Sequence, residues 1–199
     1  VPAQRAPTAP RPSDAREALA REIARLAKQT DGQVGVALQR VGGGPQVLLN
    51  GSETFPMAST FKIAVAATIL SKVDRGQLTL GTMVPVEPAI VVNSDGIADY
   101  LPHSGISLSI HNLLDLMLTR SDNTATDVLV AQAGGPAAVT AWLRGVGVTG
   151  QRVDADTAHL IYRAPNIEPG KGTFRENVDA AFAADPAKRQ MDEKRLPNR

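Results

Sequence analysis

The sequence predicts an α/β fold in which helices dominate, on three observations. Two short β-prone runs, residues 34–38 and 46–50, flank a Gly42-Gly43-Gly44-Pro45 turn and read as neighbouring antiparallel strands. A segment at about 14–29 precedes them with Ala18, Leu19, Ile23, Leu26 and Ala27 at helical spacing. Beyond residue 55, apolar residues recur at the same spacing in one segment after another up to residue 145.

The chain of 199 residues is long enough for one domain with a sizeable core. Its 43% hydrophobic and 21% charged residues are those of an ordinary globular protein. A net charge of +1 without long charge runs leaves no electrostatic footprint for nucleic acid. Aromatic residues, at 4%, are too few for a base-stacking platform. No apolar stretch has the length of a membrane span. Cysteine is absent, which excludes thiol catalysis, disulfides and cysteine-ligated zinc.

Residues 1–13 hold four prolines and no periodic pattern, and read as a flexible tail. Ser13 and Asp14 can cap the first helix, and Thr30-Asp31-Gly32 ends it. That helix and the hairpin form one organisational block, 14–55. A helical block carrying the polar motifs follows over 56–150. A helix is expected from Ala58 to about Asp74, stopped at Arg75-Gly76. Residues 79–98 are mixed, with apolar residues among them but with Pro85 and Pro88 ruling out one regular element. Ser107 or Ser109 can cap a helix over about 109–119. Further helices are expected over 124–134 and 136–145, separated by Gly134-Gly135-Pro136. Residues 151–199 read as a divergent loop and helical insertion, with a helical turn near 156–162, a helix over 176–184 and a charged, solvent-facing end.

Chemistry concentrates at Ser59 and Lys62. In a helical first turn a Ser and a Lys three residues apart share a face. A serine hydroxyl becomes a useful nucleophile only when a base takes its proton, and a lysine with a lowered pKa can do so. Taken singly, Ser59 reads first as an N-cap and Lys62 as a snorkelling surface residue. Ser121-Asp122-Asn123 alone reads as a turn or helix cap. His103, His111 and His159 have no metal-ligand spacing, and a Ser-His-Asp triad stays open as an alternative.

Together, Ser59-x-x-Lys62 and Ser121-Asp122-Asn123, with a helical segment between them, resemble the motif pair of class A β-lactamases and penicillin-binding proteins. The flanking words, Phe55-Pro56-Met57-Ala58 and Thr124-Ala125 with Gly134-Gly135-Pro136, are similar to the class A family in particular. The resemblance covers roughly residues 14–155. It implies a β-lactamase/transpeptidase-like fold and hydrolysis of β-lactams through an acyl-enzyme, with no cofactor and no metal. By the same resemblance, Ser59 attacks and Lys62 takes its proton. Ser121 passes a proton to the leaving nitrogen, Asn123 binds the substrate's side-chain amide, and Asp122 ties backbone groups together. The Ser59 N–H would supply half an oxyanion hole. It also implies a periplasmic or secreted protein.

Two departures qualify the resemblance. The family's loop of the form Arg-Leu-Asp-Arg-x-Glu-x-x-Leu-Asn carries the Glu that activates the water for acyl release. Here the matching run is Arg152-Val153-Asp154-Ala155-Asp156-Thr157-Ala158-His159-Leu160-Ile161, and Thr157 stands at the Glu position. Asp156, Glu168 and Glu176 are the candidate substitute bases. The second departure is at the end of the chain, where no Lys-Thr-Gly-like triad precedes a final strand; Lys171-Gly172-Thr173 has the letters in another order. Two strands are too few for a stable sheet. The chain therefore reads as a fragment whose C-terminal strands are missing, to be supplied by a second chain or a swapped neighbour. Two rival functions follow: a penicillin-binding or other serine ester or amide hydrolase with slow deacylation, and a non-catalytic binding module on a decayed hydrolase fold.

Overall fold

The structure, a computed structural model, describes residues 12–92, 96–101, 103, 105–163, 167 and 173–195. The Pro-rich tail up to residue 11 and the candidate base Glu168 lie outside the described residues. Two compact units divide the chain, Val1–Pro56 and Met57–Arg199.

In the first unit, helix α1 (Pro12–Ala27) packs on a hairpin of β1 (Val36–Leu38) and β2 (Val47–Leu49). The antiparallel register sets Val36 opposite Leu49 and Leu38 opposite Val47. The Phe55 ring packs over Gly35, where a Cβ would lie 2.4 Å from it. The solvent side of α1 carries an Arg25–Glu22 pair at 2.6 Å. Leu19 and Leu26 of α1 remain exposed. The helix begins two residues before the expected Asp14, with Asp14 inside its first turn rather than before it.

The second unit is built around α2 (Phe61–Asp74) and α5 (Asn123–Ala133). Val65 and Ile69 of α2 meet Ala125, Val128 and Leu129 of α5 in one buried cluster. α4 (Ile110–Thr119) adds Ile110, Leu113 and Met117, and α6 (Pro136–Gly145) adds Val139 and Leu143. Each boundary has a local cause. Ser109 Oγ accepts from Asn112 N–H and starts α4. Gly134, at φ +105°, ends α5 in the left-handed region, and Pro136 opens α6.

The mixed segment holds a short strand. β3 (Met83–Pro85) pairs antiparallel with β4 (Ser107–Ser109), with Val84 opposite Leu108. Pro85 ends the strand opposite Ser107, and the next residue resumes bonding from Val86 N–H to the Ile106 carbonyl at 3.0 Å. A prolyl residue is tolerated because it occupies the end of a two-stranded ladder. A 3₁₀ turn, Pro88–Ile90, and the short α3 (Ile97–Tyr100) complete this region.

Beyond residue 150, α7 (Thr157–Arg163), α8 (Phe174–Ala184) and α9 (Pro186–Arg195) follow. Tyr162 and Phe174 stack with ring centroids 4.8 Å apart, in a satellite core with Val92 and Ile167. The charged end is helical, which its lack of apolar periodicity concealed. No described helix is long and apolar enough to cross a membrane.

Candidate active site

Ser59 lies in a 3₁₀ turn, Ala58–Thr60, that runs directly into α2. The sequence places it in the helix's first turn; the structure places it one turn earlier, with tighter winding. Its hydroxyl caps nothing, since no side-chain bond closes either helical start, and it is exposed. Ala58 before it has φ +44°, a conformation that costs an L-residue roughly 1–3 kcal/mol. The turn is tied by the Thr60 hydroxyl donating to the Met57 carbonyl. Backbone geometry therefore holds Ser59 outward on a fixed support.

Lys62 is one residue into α2 and is buried, 3% exposed. Its Nζ donates to the Ser121 carbonyl at 2.5 Å, Ser121 Oγ at 3.0 Å and Asn123 Oδ1 at 2.9 Å. Those bonds occupy all three donors of an ammonium group. Burial pushes the Lys62 pKa below the ordinary lysine value, while the nearby carboxylates of Asp122 and Asp127 work in the opposite direction.

Ser121 Oγ in turn donates to Ser59 Oγ at 3.2 Å. The three side chains form a continuous chain from Lys62 through Ser121 to Ser59. Ser121 sits between α4 and α5 with φ +55°, like Ala58 a non-glycine residue in the left-handed region. Its backbone curl turns its carbonyl and its hydroxyl toward the same ammonium.

Asp122 fixes that curl. It is fully buried and caps α5, with Oδ1 accepting from Ala125 N–H at 2.6 Å. Oδ2 accepts from Ile97 N–H at 2.7 Å, tying α3 to the start of α5. Gly96 leaves room for this carboxylate, because a Cβ there would stand 1.8 Å from Asp122 Oδ2. Thr124 Oγ1 both donates to the Val92 carbonyl and accepts from Val92 N–H, each at 2.9 Å.

One turn along α5, Asp127 is also buried. Its carboxylate accepts from Thr157 N–H at 2.7 Å and Ala158 N–H at 2.9 Å, anchoring the start of α7. Burial raises its pKa to about 6, against those two bonds, with Asp156 adding to the rise. Thr157 Oγ1 is enclosed and makes no hydrogen bond of acceptable geometry among the described residues, although it lies near enough to Asp127 to favour the charged carboxylate. Asp127 was not singled out from the sequence. The signal was its spacing: four residues after Asn123, it shares a helix face with it.

The candidate substitute bases are placed differently. Asp156 Oδ1 is bonded to His159 Nδ1 at 2.6 Å and to His159 N–H at 2.8 Å. Glu176 closes the capping box of α8 with Thr173, whose N–H donates to its Oε2 at 2.8 Å. Those Thr173 bonds lower the Glu176 pKa. The structure therefore joins Ser59, Lys62, Ser121 and Asn123 in one network, and engages Asp156 and Glu176 in local helix-start contacts. His103, His111 and His159 are exposed. Among the described residues, no group of three or more His, Asp or Glu could hold a metal ion.

A family model described as the β-lactamase enzyme family matches residues 18–189. The chain is 35% identical over 164 residues to β-lactamase Toho-2 of Escherichia coli, covering 82% of this chain and 56% of that protein. It is 37% identical over 143 residues to β-lactamase L2 of Stenotrophomonas maltophilia, covering 72% of this chain and 46% of the relative. The solved structure of an ancestral class A β-lactamase superposes with a TM-score of 0.67 at 32% identity, over 89% of this chain and 70% of that one. The chain spans about half the length of the curated relatives it matches.

Proposed function

Since the chain belongs to the class A β-lactamase family, we propose that it hydrolyses β-lactams through an acyl-enzyme on Ser59. The observation that carries the proposal is the hydrogen-bonded chain from Lys62 through Ser121 to Ser59. Hydroxyl protons rotate freely, so the same three atoms serve transfer in either direction. With Lys62 neutral, the Ser59 proton passes to Ser121 as Ser121 gives its own to Lys62. Ser59 Oγ then bonds the lactam carbonyl carbon, and the C–N bond breaks as Ser121 returns a proton to the leaving nitrogen. The Ser59 N–H supplies one oxyanion donor. Asn123, which shares Lys62 with Ser121, orients the substrate's side-chain amide.

A penicillin-binding protein with slow release is the second reading, favoured by Thr157 at the position of the family's base. Export to the periplasm or beyond belongs to the same family reading. Intact mass after adding a penicillin tests it. A Ser59 adduct that forms and clears within the assay supports the lactamase. A persistent adduct supports slow release. Neither adduct nor hydrolysed penicillin, or an adduct that survives Ser59→Ala, overturns both.

A further inference from the structure

Asp127 and Thr157 meet at a spot that the acylation chain does not use, near enough to Lys62 for the Asp127 charge to act on it. Asp127 is one helical turn, about 6 Å of rise, beyond Asn123 on the same face of α5. Asn123 holds the Lys62 ammonium, and the Asp127 charge is near enough to act on that ammonium. From the other side, α7 brings the Thr157 side chain against Asp127. Thr157 is 8% exposed, and its hydroxyl oxygen is enclosed beside the Asp127 carboxylate without a well-formed hydrogen bond to it. A buried hydroxyl left unpaired costs roughly 1–3 kcal/mol, and such groups are ordinarily served by a bound water. The polar groups that such a water would meet are the Thr157 hydroxyl and the Asp127 carboxylate.

We propose that Asp127 and Thr157 hold the water that releases the acyl group from Ser59, with Asp127 as its base and Thr157 as its positioning residue. The inference rests on the acyl-enzyme reading above. In the step, the water oxygen bonds the ester carbonyl carbon while one of its protons passes to Asp127. The resulting tetrahedral adduct expels Ser59 Oγ, which takes the proton back, leaving an open acid and free enzyme. A carboxylate between two backbone N–H donors is fixed in orientation yet keeps a lone pair on each oxygen. Its pKa of about 6 makes it a stronger base than an ordinary aspartate and leaves it ionised at neutral pH. The other charged groups facing this spot are Lys62 from α2 and Asp156, paired with His159, from the start of α7.

The test separates the two half-reactions by intact mass after a pulse of benzylpenicillin. Thr157→Val removes the hydroxyl at nearly constant volume and keeps the Thr157 N–H bond to Asp127. It is expected to slow release by about tenfold or more and change acylation by less than about twofold. Thr157→Ser should restore release. Release in the wild type should rise with pH through a limb near 6, and Asp127→Asn should remove that limb. Release by Thr157→Val at the wild-type rate overturns the water site while leaving the acyl-enzyme intact. Equal slowing of acylation and release also overturns it, because it marks a structural effect. If the wild type forms neither adduct nor product, the acyl-enzyme reading falls and the inference falls with it.

Discussion

Ser121 Oγ stands between Lys62 Nζ, at 3.0 Å, and Ser59 Oγ, at 3.2 Å. Among the described residues the bonds of Lys62 end on Ser121 and Asn123, so the lysine reaches the nucleophile through a hydroxyl relay. Ser121 therefore acts before the lactam opens as well as after. Ser121→Ala should lower the acylation rate by about 10²–10⁴-fold, the usual range for losing a positioned proton-transfer group. The measurement is the rate of adduct growth on Ser59. If adduct growth in this variant stays near the wild-type rate, the relay to Ser59 is wrong.

Lys62 sets the pH dependence of the same step. Its folded-state pKa lies below the ordinary lysine value because of burial. The neutral amine is the base, so the acylation rate should rise with pH through a limb below about 10.5. Lys62→Arg keeps a cation in place but cannot deprotonate in this range. The variant should lose the limb together with nearly all acylation. An unchanged pH–rate profile in Lys62→Arg would assign the base elsewhere.

Most of the helices and the hairpin were legible because their signals are local: apolar spacing, the Ser109 cap and the Gly134-Gly135-Pro136 stop. The Ser59, Lys62, Ser121 and Asn123 group was legible only through the resemblance of two motifs taken together. The pairing of β3 with β4 was hidden, because three-residue strands containing a proline carry almost no alternation. Asp127 was hidden for a different reason. Within a run reading Thr124-Ala125-Thr126-Asp127-Val128, a lone Asp resembles a solvated helix residue. Only the fold shows that α7 lands on it and removes it from water. Ser59 lies in a 3₁₀ turn rather than a full helical turn because Ala58 enters at φ +44°, and nothing in an alanine announces that.

Gly96 and Asp122 form a second structural dependency. A Cβ at Gly96 would come within 1.8 Å of Asp122 Oδ2, so the carboxylate must move. Movement breaks the 2.7 Å bond from Ile97 N–H and disturbs the cap on Ala125. Gly96→Ala should cost about 2–4 kcal/mol, and Asp122→Ala at least as much, from a lost cap and buried unpaired N–H groups. Denaturant titration of each variant checks the size. The two changes share one mechanism, so the double variant should cost clearly less than the sum. Additive costs would mean that Gly96 acts through something other than Asp122.

Asp127 makes the stability of the second unit depend on pH in an unusual sense. Its carboxyl has a pKa of about 6 in the folded chain against an ordinary 3.8. Between those values the folded state keeps a proton that the unfolded chain has released. Stability from this group is therefore present below about pH 4, falls as pH rises toward 6, and is level above it. A difference of about two units corresponds to about 3 kcal/mol. Most native carboxylates behave in the opposite way, so the net curve mixes both senses. The contribution is isolated by comparing wild type with Asp127→Asn in urea from pH 4 to pH 8. Wild type should lose stability relative to the variant across the lower half of that range, by up to about 3 kcal/mol, and then run parallel to it. A difference that is flat throughout would show that Asp127 titrates like an exposed aspartate, and that α7 does not bury it.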